Sequence, residues 1–169
     1  MRSSIVALVA IPWIVALAAP AGGQLLVHKD LPVATAMTIA ATALETCAAR
    51  GHRVSVTVVG RNGEVLVQLR GDNSAPHTVE NSFRRAYTAR TFGVPSGDVE
   101  KRWRADPYFS SVFLTNVIAA QGALPILAGN EVIGAAGVSG VVTTPHAPGG
   151  VGDEACAKAG IDKVADQLK

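Results

Sequence analysis

The sequence lacks the excess of positive charge that is typical of nucleic-acid-binding proteins. Charged residues make up 17% of the chain, and 15 basic residues are set against 13 acidic ones. Such a balance gives no extended basic surface for phosphate backbones or for acidic membranes. We therefore expect no nucleic-acid partner.

Motifs of the common enzyme classes are missing as well. The chain has neither a P-loop nor the glycine pattern of a dinucleotide site. Gly137-Val138-Ser139-Gly140 does not have the spacing of a nucleophile elbow. Asp153 and Glu154 are neighbouring carboxylates, but their place at the start of the last predicted helix favours an interaction with the helix dipole. The sequence thus does not favour a hydrolytic or transferase enzyme.

Cysteine is scarce, since Cys47 and Cys156 are the only two in the chain. Neither a CxxC pair nor a Cys/His zinc spacing is present, so the sequence indicates no structural metal site. In an exported protein an even pair of cysteines favours one disulfide. The alternative is two free thiols buried as small apolar residues.

An apolar run at the amino terminus extends from Ile5 to Ala19 and is interrupted only by Pro12. Arg2 supplies positive charge before it, and Ala19-Pro20-Ala21 after it has the small-x-small pattern of a signal peptidase site. The run has about 15 residues, fewer than the roughly 20 that a membrane-spanning helix needs.

We predict a signal peptide over residues 1–23, with cleavage near Ala21 or Gly23, and one mature domain over residues 24–169. No cysteine stands directly after the cleavage site, so a lipoprotein anchor is not indicated. The expected location is periplasmic or secreted. An uncleaved amino-terminal anchor is the alternative.

The remaining chain has the pattern of a single α+β domain. Apolar spacing of three and four residues predicts helices, alternation predicts strands, and Asn62-Gly63 and Gly129-Asn130 predict two hairpin turns. Hairpins joined by helices form an antiparallel sheet with helices packed against it. The predicted helices cover 32–50, 78–92, 96–104 and the chain from 153 onward; the predicted strands cover 53–59, 64–70, 123–129 and 131–140.

The predicted helix 78–92 carries the most suggestive chemistry. Val79, Phe83 and Ala86 share one face, which we assign to the core. Arg84 shares another face with Tyr87, whereas Arg85 lies about 100° from Arg84.

The polar loop before this helix, Asp72-Asn73-Ser74, can simply cap it. Alternatively, exposed amides at the helix start and the nearby Arg84 or Arg85 can bind carboxylates. Gly134 and Gly137 interrupt the last strand, and glycine in a strand indicates close approach by a backbone or a ligand. These residues together would suit an apolar ligand that carries carboxylates, such as haem.

Haem iron is held by His, Tyr or Met side chains. His28 precedes the first predicted helix and His77 begins the second, so both are candidates for the iron ligand, and Tyr87 is a third. His146 lies in a loop rich in proline and glycine that has the freedom to close over a ligand. Each of these histidines can equally be an ordinary surface residue.

The chain resembles the GlcG/HbpS family of haem-binding and haem-degrading domains over about residues 30–168. Four stretches follow one another in the family's order: RVSVTVVGRNGEVLVQLRGDNSAPHTVENSFRRAYTAR, LTN at 114–116, QGALPILAGNEVIGAAGVSG and DEACAKAG. The chain departs from the family in having Gly60 in place of Asp before the first turn, Arg85 in place of Lys, and Ala123 in place of the second Gly of Gly-Gly-x-Pro.

The resemblance implies a profilin- or PAS-like α+β fold with about five antiparallel strands, and homo-oligomers. It also implies binding of haem or iron and a membrane sensor or redox protein as a partner. We therefore expect an exported haem-binding protein, with Arg84 and Arg85 near the propionates and Gly134 and Gly137 under the ring. The alternatives are a sensory or scaffolding module without haem and a haem-degrading protein.

Overall fold

The structure, a computed structural model, describes residues 23–106 and 108–169. All of the predicted signal peptide except Gly23 lies outside the described residues. The described elements are α1 (Val33–Ala49), β1 (Ser55–Val59), β2 (Val65–Arg70), α2 (His77–Phe92), α3 (Ser96–Ala105), β3 (Ala123–Ala128), β4 (Glu131–Ser139) and α4 (Gly149–Lys163), with short 3₁₀ helices at Ser110–Phe113 and Ala165–Leu168.

The four strands form one antiparallel sheet in the order β2-β1-β4-β3. Each predicted strand forms within two residues of its predicted bounds, because β-branched residues with period-two alternation fit a pleated surface. The α+β class is confirmed. The described chain has four strands where the resemblance implied about five.

Helices α1 and α4 cover one face of the sheet and enclose the larger apolar core. All five residues of the central strand β1 are buried, as is Ile39 of α1. Cys47 on α1 and Cys156 on α4 are fully buried, and a disulfide joins them across a Cα–Cα distance of 5.7 Å. This is the pair that the sequence predicted, and it fastens the first helix to the last.

Helix α2 covers the opposite face with a surface that the sequence did not predict. Its buried residues are Thr78, Ser82, Ala86, Thr88 and Ala89, while Val79 and Phe83 are only half-buried. The predicted core face was therefore wrong by about one residue.

Hydroxyl groups explain the difference in the α2 face. Thr78 Oγ1 lies 2.8 Å from Ser55 Oγ, and Ser82 Oγ lies 2.7 Å from Thr57 Oγ1. Because each buried hydroxyl has a partner, burying it costs little, and α2 can lie close to the sheet.

Helix α4 begins at Gly149, four residues before the predicted start at Asp153. A Cβ on Gly149 would overlap the carbonyl oxygen of Val141, so this first turn depends on glycine to pack against the loop after β4. Within the part of the chain that the structure describes, no helix is long and apolar enough to cross a membrane.

The disulfide should make a large contribution to stability, because it closes a loop with a sequence separation of 109 residues. We expect Cys47→Ala/Cys156→Ala to lower the free energy of unfolding by about 4–5 kcal/mol through the added freedom of the unfolded chain. Urea denaturation with and without reductant measures this. Reductant should destabilise the wild type and leave the variant unchanged; a wild type that is insensitive to reductant contradicts the prediction.

Candidate functional site

Two adjoining cavities form a groove at the end of the sheet where β4 finishes. Their volumes are about 550 Å³ and 290 Å³, and both are lined by Arg85, Thr143, Gly149 and Gly150. The larger cavity lies between α3, the loop before β3 and the start of α4, and the smaller one lies between α2 and the loop after β4. We call the two together the Arg85 groove. Their volumes are of the order found for small-molecule sites, roughly 300–1,000 Å³.

Arg85 of α2 lies between the two cavities, with 13% of its side chain exposed. Its Nη1 donates hydrogen bonds to Val138 O and to Asp153 Oδ2, both at 2.7 Å. Its Nε is buried and has no partner among the described residues. A buried donor without an acceptor is costly. A ligand in the groove can contact the exposed part of the Arg85 side chain.

Asp153 completes the base of the groove. Its Oδ1 accepts a hydrogen bond from Val141 N at 3.0 Å, so its carboxylate holds both the arginine and the loop after β4. Burial raises the pKa of Asp153 above its ordinary value, although the Val141 amide and Arg85 both act to lower it. The negative charge of Asp153 therefore depends on its two partners.

Gly122 allows Arg85 to take this position. A Cβ on Gly122 would lie 2.6 Å from Arg85 Nη1, and the backbone φ of +143° is one that residues with a side chain rarely adopt. Glycine at position 122, the first residue of the Gly-Ala-Leu-Pro stretch, therefore leaves the space that the Arg85 guanidinium occupies.

Helix α3 supplies the outer wall of the larger cavity. Lys101 and Arg104 line it together with Glu100. Arg104 donates to Glu100 Oε1 at 2.7 Å, and the other oxygen of Glu100 accepts from Gln121 N at 2.8 Å. The larger cavity therefore has three cations, Arg85 included, and one carboxylate among its lining residues.

Of the predicted site residues, the groove brings together Arg85 and His77. His77, at the start of α2, lines the smaller cavity with Arg85 and is exposed there. His77 is eight residues from Arg85 on α2, about two helical turns, and both side chains line the smaller cavity.

The other predicted side chains lie elsewhere. Arg84 donates to Val117 O at 2.9 Å and pairs with Glu80. Tyr87 packs over the turn at Gly63, and His28 is exposed in the extended chain before α1. None of the three lines the groove.

Gly134 and Gly137 do not offer the open surface that the sequence suggested. A Cβ on Gly137 would overlap the backbone oxygen of Ser82 in α2, and one on Gly134 would overlap the backbone oxygen of Val59 in β1. Both glycines let protein backbone pack closely, so no ring lies on them. This corrects the expectation that they lie under a bound ligand.

Sequence reasoning missed Asp153 as the partner of Arg85, and it also missed Gly122, Lys101 and Arg104. Asp153 was assigned to the helix dipole, and nothing local connects it to an arginine 68 positions earlier. Gly122, the first residue of the Gly-x-x-Pro stretch and the residue directly before β3, was the available signal for a close approach. No group of three or more His, Cys, Asp or Glu that could hold a metal ion occurs within residues 23–106 and 108–169.

Comparison with known proteins matches residues 31–162 to the model of a family described as haem degrading protein HbpS-like. The crystal structure of HbpS is 33% identical, covering 87% of this chain and 99% of that chain with a TM-score of 0.76. A double mutant of Streptomyces reticuli HbpS is 32% identical, covering 88% and 97%, also with a TM-score of 0.76.

Two further solved structures share the fold at lower identity. Klebsiella pneumoniae protein ORFY is 21% identical, covers 85% of this chain and 97% of that chain, and has a TM-score of 0.75. A PduOC–haem complex is 18% identical, covers 79% and 94%, and has a TM-score of 0.68. No curated protein matches the chain.

The role of Gly137 is testable by substitution. Gly137→Ala should lower the free energy of unfolding by about 1–3 kcal/mol, because its methyl group would force α2 away from the sheet. Gly60→Ala is the matched control, since a Cβ at that position would meet only the flexible side chain of Glu64. Urea denaturation measures both; a Gly137→Ala protein as stable as the wild type would mean that the glycine faces open space.

The pKa of Asp153 predicts a pH dependence of stability. Because its pKa is raised in the folded state, the folded chain binds this proton more tightly than the unfolded chain does. The resulting stabilisation is present below the ordinary pKa of 3.8 and is lost as the pH rises through the folded pKa.

The unfolding free energy of the wild type minus that of Asp153→Asn should therefore fall with rising pH. Urea denaturation of both proteins from about pH 3 to about pH 7 gives this difference. A difference that rises with pH contradicts the direction assigned to Asp153.

Proposed function

The chain belongs to the HbpS-like family of haem-degrading proteins, and from that premise we propose that it is an exported haem-binding protein that acts in haem or iron handling. One observation carries the proposal: the Arg85 groove places a histidine and a mostly buried guanidinium in the lining of one cavity. A protein of the same fold, PduOC, forms a haem complex.

The residues of the groove fit the parts of a haem molecule. Arg85 lines both cavities and 13% of its side chain is exposed, so a propionate oxygen can pair with its guanidinium. His77 in the smaller cavity is the groove residue that can bind iron, and Ala119, Ala120 and Pro148 give small apolar contacts in the larger cavity. Bound haem would supply a redox-active iron, while the chain holds the propionates, presents one imidazole and limits the access of water.

Export is supported by the amino-terminal sequence and by the disulfide. The apolar run over residues 5–19 and the small residues after it have the pattern of a signal peptide. A disulfide between Cys47 and Cys156 suits an oxidising compartment. We propose the periplasm or the extracellular space as the location.

Association with other protein chains is part of the proposal. Tyr108 is 90% exposed, Phe113 80% and Leu114 59%, all in the segment between α3 and β3. Large apolar side chains exposed so close together are typical of protein contact surfaces. We propose that copies of the chain form a homo-oligomer, and that a membrane sensor or redox protein is the further partner.

Haem degradation is the second candidate function, and the description of the family favours it. The two functions differ in what happens to the bound ligand. Binding alone leaves the Soret absorbance intact when reductant or peroxide is added, whereas degradation removes the absorbance and releases iron. A third alternative, a sensory or scaffolding module, predicts no haem bound at all.

Haem titration of the purified mature domain tests the proposed site. His77→Ala should weaken haem binding at least about tenfold and alter the Soret band, because it removes the imidazole that binds the iron. His28→Ala and Tyr87→Phe are matched controls outside the groove and should bind as the wild type does.

Two results would contradict the proposed site or the proposed function. If His28→Ala or Tyr87→Phe alters the Soret band and His77→Ala does not, the iron ligand lies outside the groove. If the wild type shows no Soret shift at any haem concentration, the chain does not bind haem.

A further inference from the structure

The cations of the larger cavity lie in two separate places. Arg85 lies at its inner end, held by Asp153, while Lys101 and Arg104 stand on the outer wall formed by α3. Lys101 and Arg104 are three residues apart on a helix, so their side chains project from the same face. The cavity therefore offers one cationic group at its base and two at its rim.

Both the base and the rim of the cavity have hydrogen-bond donors that a ligand can use. At the base, the Nη1 of Arg85 donates to protein groups, and 13% of the Arg85 side chain stays exposed in the cavity. At the rim, Lys101 pairs with Asp98 and Arg104 pairs with Glu100, with 77% and 67% of the two cationic side chains exposed. Exposed pairs of this kind are weak, so a ligand carboxylate can replace the protein partner.

Groups that bind metal are few by comparison. Among the described residues that line the groove, His77 is the one with a nitrogen or sulfur ligand for iron. His146 lies in the loop after β4, is exposed, and lines neither cavity. Charge-assisted hydrogen bonds to carboxylates are stronger than neutral ones, and the larger cavity has three cations among its lining residues to make them.

We propose that the Arg85 groove recognises its ligand by two carboxylates, one at Arg85 and one at Lys101 and Arg104, so that its ligand class is tetrapyrroles with two acid groups, with or without iron. The proposal rests on the proposed haem-binding function and specifies what that site recognises. Iron-free protoporphyrin belongs to the class, and a haem with both propionates esterified does not.

Three ligands separate the contributions of iron and carboxylate: haem, iron-free protoporphyrin and haem dimethyl ester. Dissociation constants come from absorbance titration for the two haems and from quenching of tryptophan fluorescence for the iron-free ring. Esterification should weaken binding at least about tenfold, and removal of iron should weaken it less than esterification does. If removal of iron weakens binding more than esterification does, the inference is wrong, although the protein still binds haem.

Variants of the rim test where the second carboxylate binds. Lys101→Glu/Arg104→Glu should weaken the binding of haem and of protoporphyrin at least about tenfold. The dissociation constant of the dimethyl ester should stay within about twofold of its wild-type value. Lys158→Glu/Lys169→Glu is the matched control, because it reverses two exposed, acid-paired lysines away from the groove. Equal losses in the two double variants would mean that only net charge matters, which overturns the inference.

Glu100→Gln tests the rim in the opposite direction. The substitution removes the carboxylate that pairs with Arg104, and the Gln side chain keeps an oxygen that can accept the hydrogen bond from the backbone N–H of Gln121. It should therefore strengthen binding of haem and protoporphyrin about threefold or more, with no change for the dimethyl ester. Unchanged or weaker binding of haem by Glu100→Gln would contradict a carboxylate site at Arg104. Absence of haem binding by the wild type would instead refute the proposed function itself.

Discussion

The ion pair between Arg85 and Asp153 holds together the elements that form the groove. It joins α2 to α4, and its hydrogen bonds to Val138 O and Val141 N fix the end of β4 and the loop that follows. Two buried charges are expensive to remove from water, and here the additional backbone partners offset part of that cost, since the pKa of Asp153 stays raised. Loss of one partner would leave the other charge buried and unpaired, which typically destabilises a protein by about 3–5 kcal/mol.

The same pair gives the groove its chemistry. Asp153 and Val138 O bind Nη1 and so fix the guanidinium, and Gly122 leaves the space that Nη1 occupies beside Val138 O. A fixed guanidinium loses little conformational freedom when a carboxylate binds. Arg84, one residue earlier, is held by Val117 O and Glu80 on another side of α2, outside the groove.

Local patterns in the sequence were enough to predict the elements but not how they pack. The bounds of α1, β1, β2 and α2 followed from periodicity and turn residues, because these features depend on neighbours in the chain. The buried face of α2 did not, since Thr78 and Ser82 are buried only because Ser55 and Thr57 offer hydroxyl partners from the sheet. Arg85 was identified from its helix, whereas Asp153 is known as its partner only once α4 is seen against the loop after β4.

The most direct measurement is the nitrogen NMR spectrum of the arginine Nε–H groups during titration with gallium protoporphyrin, a diamagnetic analogue of haem. If a propionate binds to the Arg85 guanidinium, the Nε–H resonance of Arg85, identified by its loss in Arg85→Lys, should move on binding. The resonance of Arg84 should not move. A ligand that binds with the Arg85 signal unchanged would show that the groove is not the site.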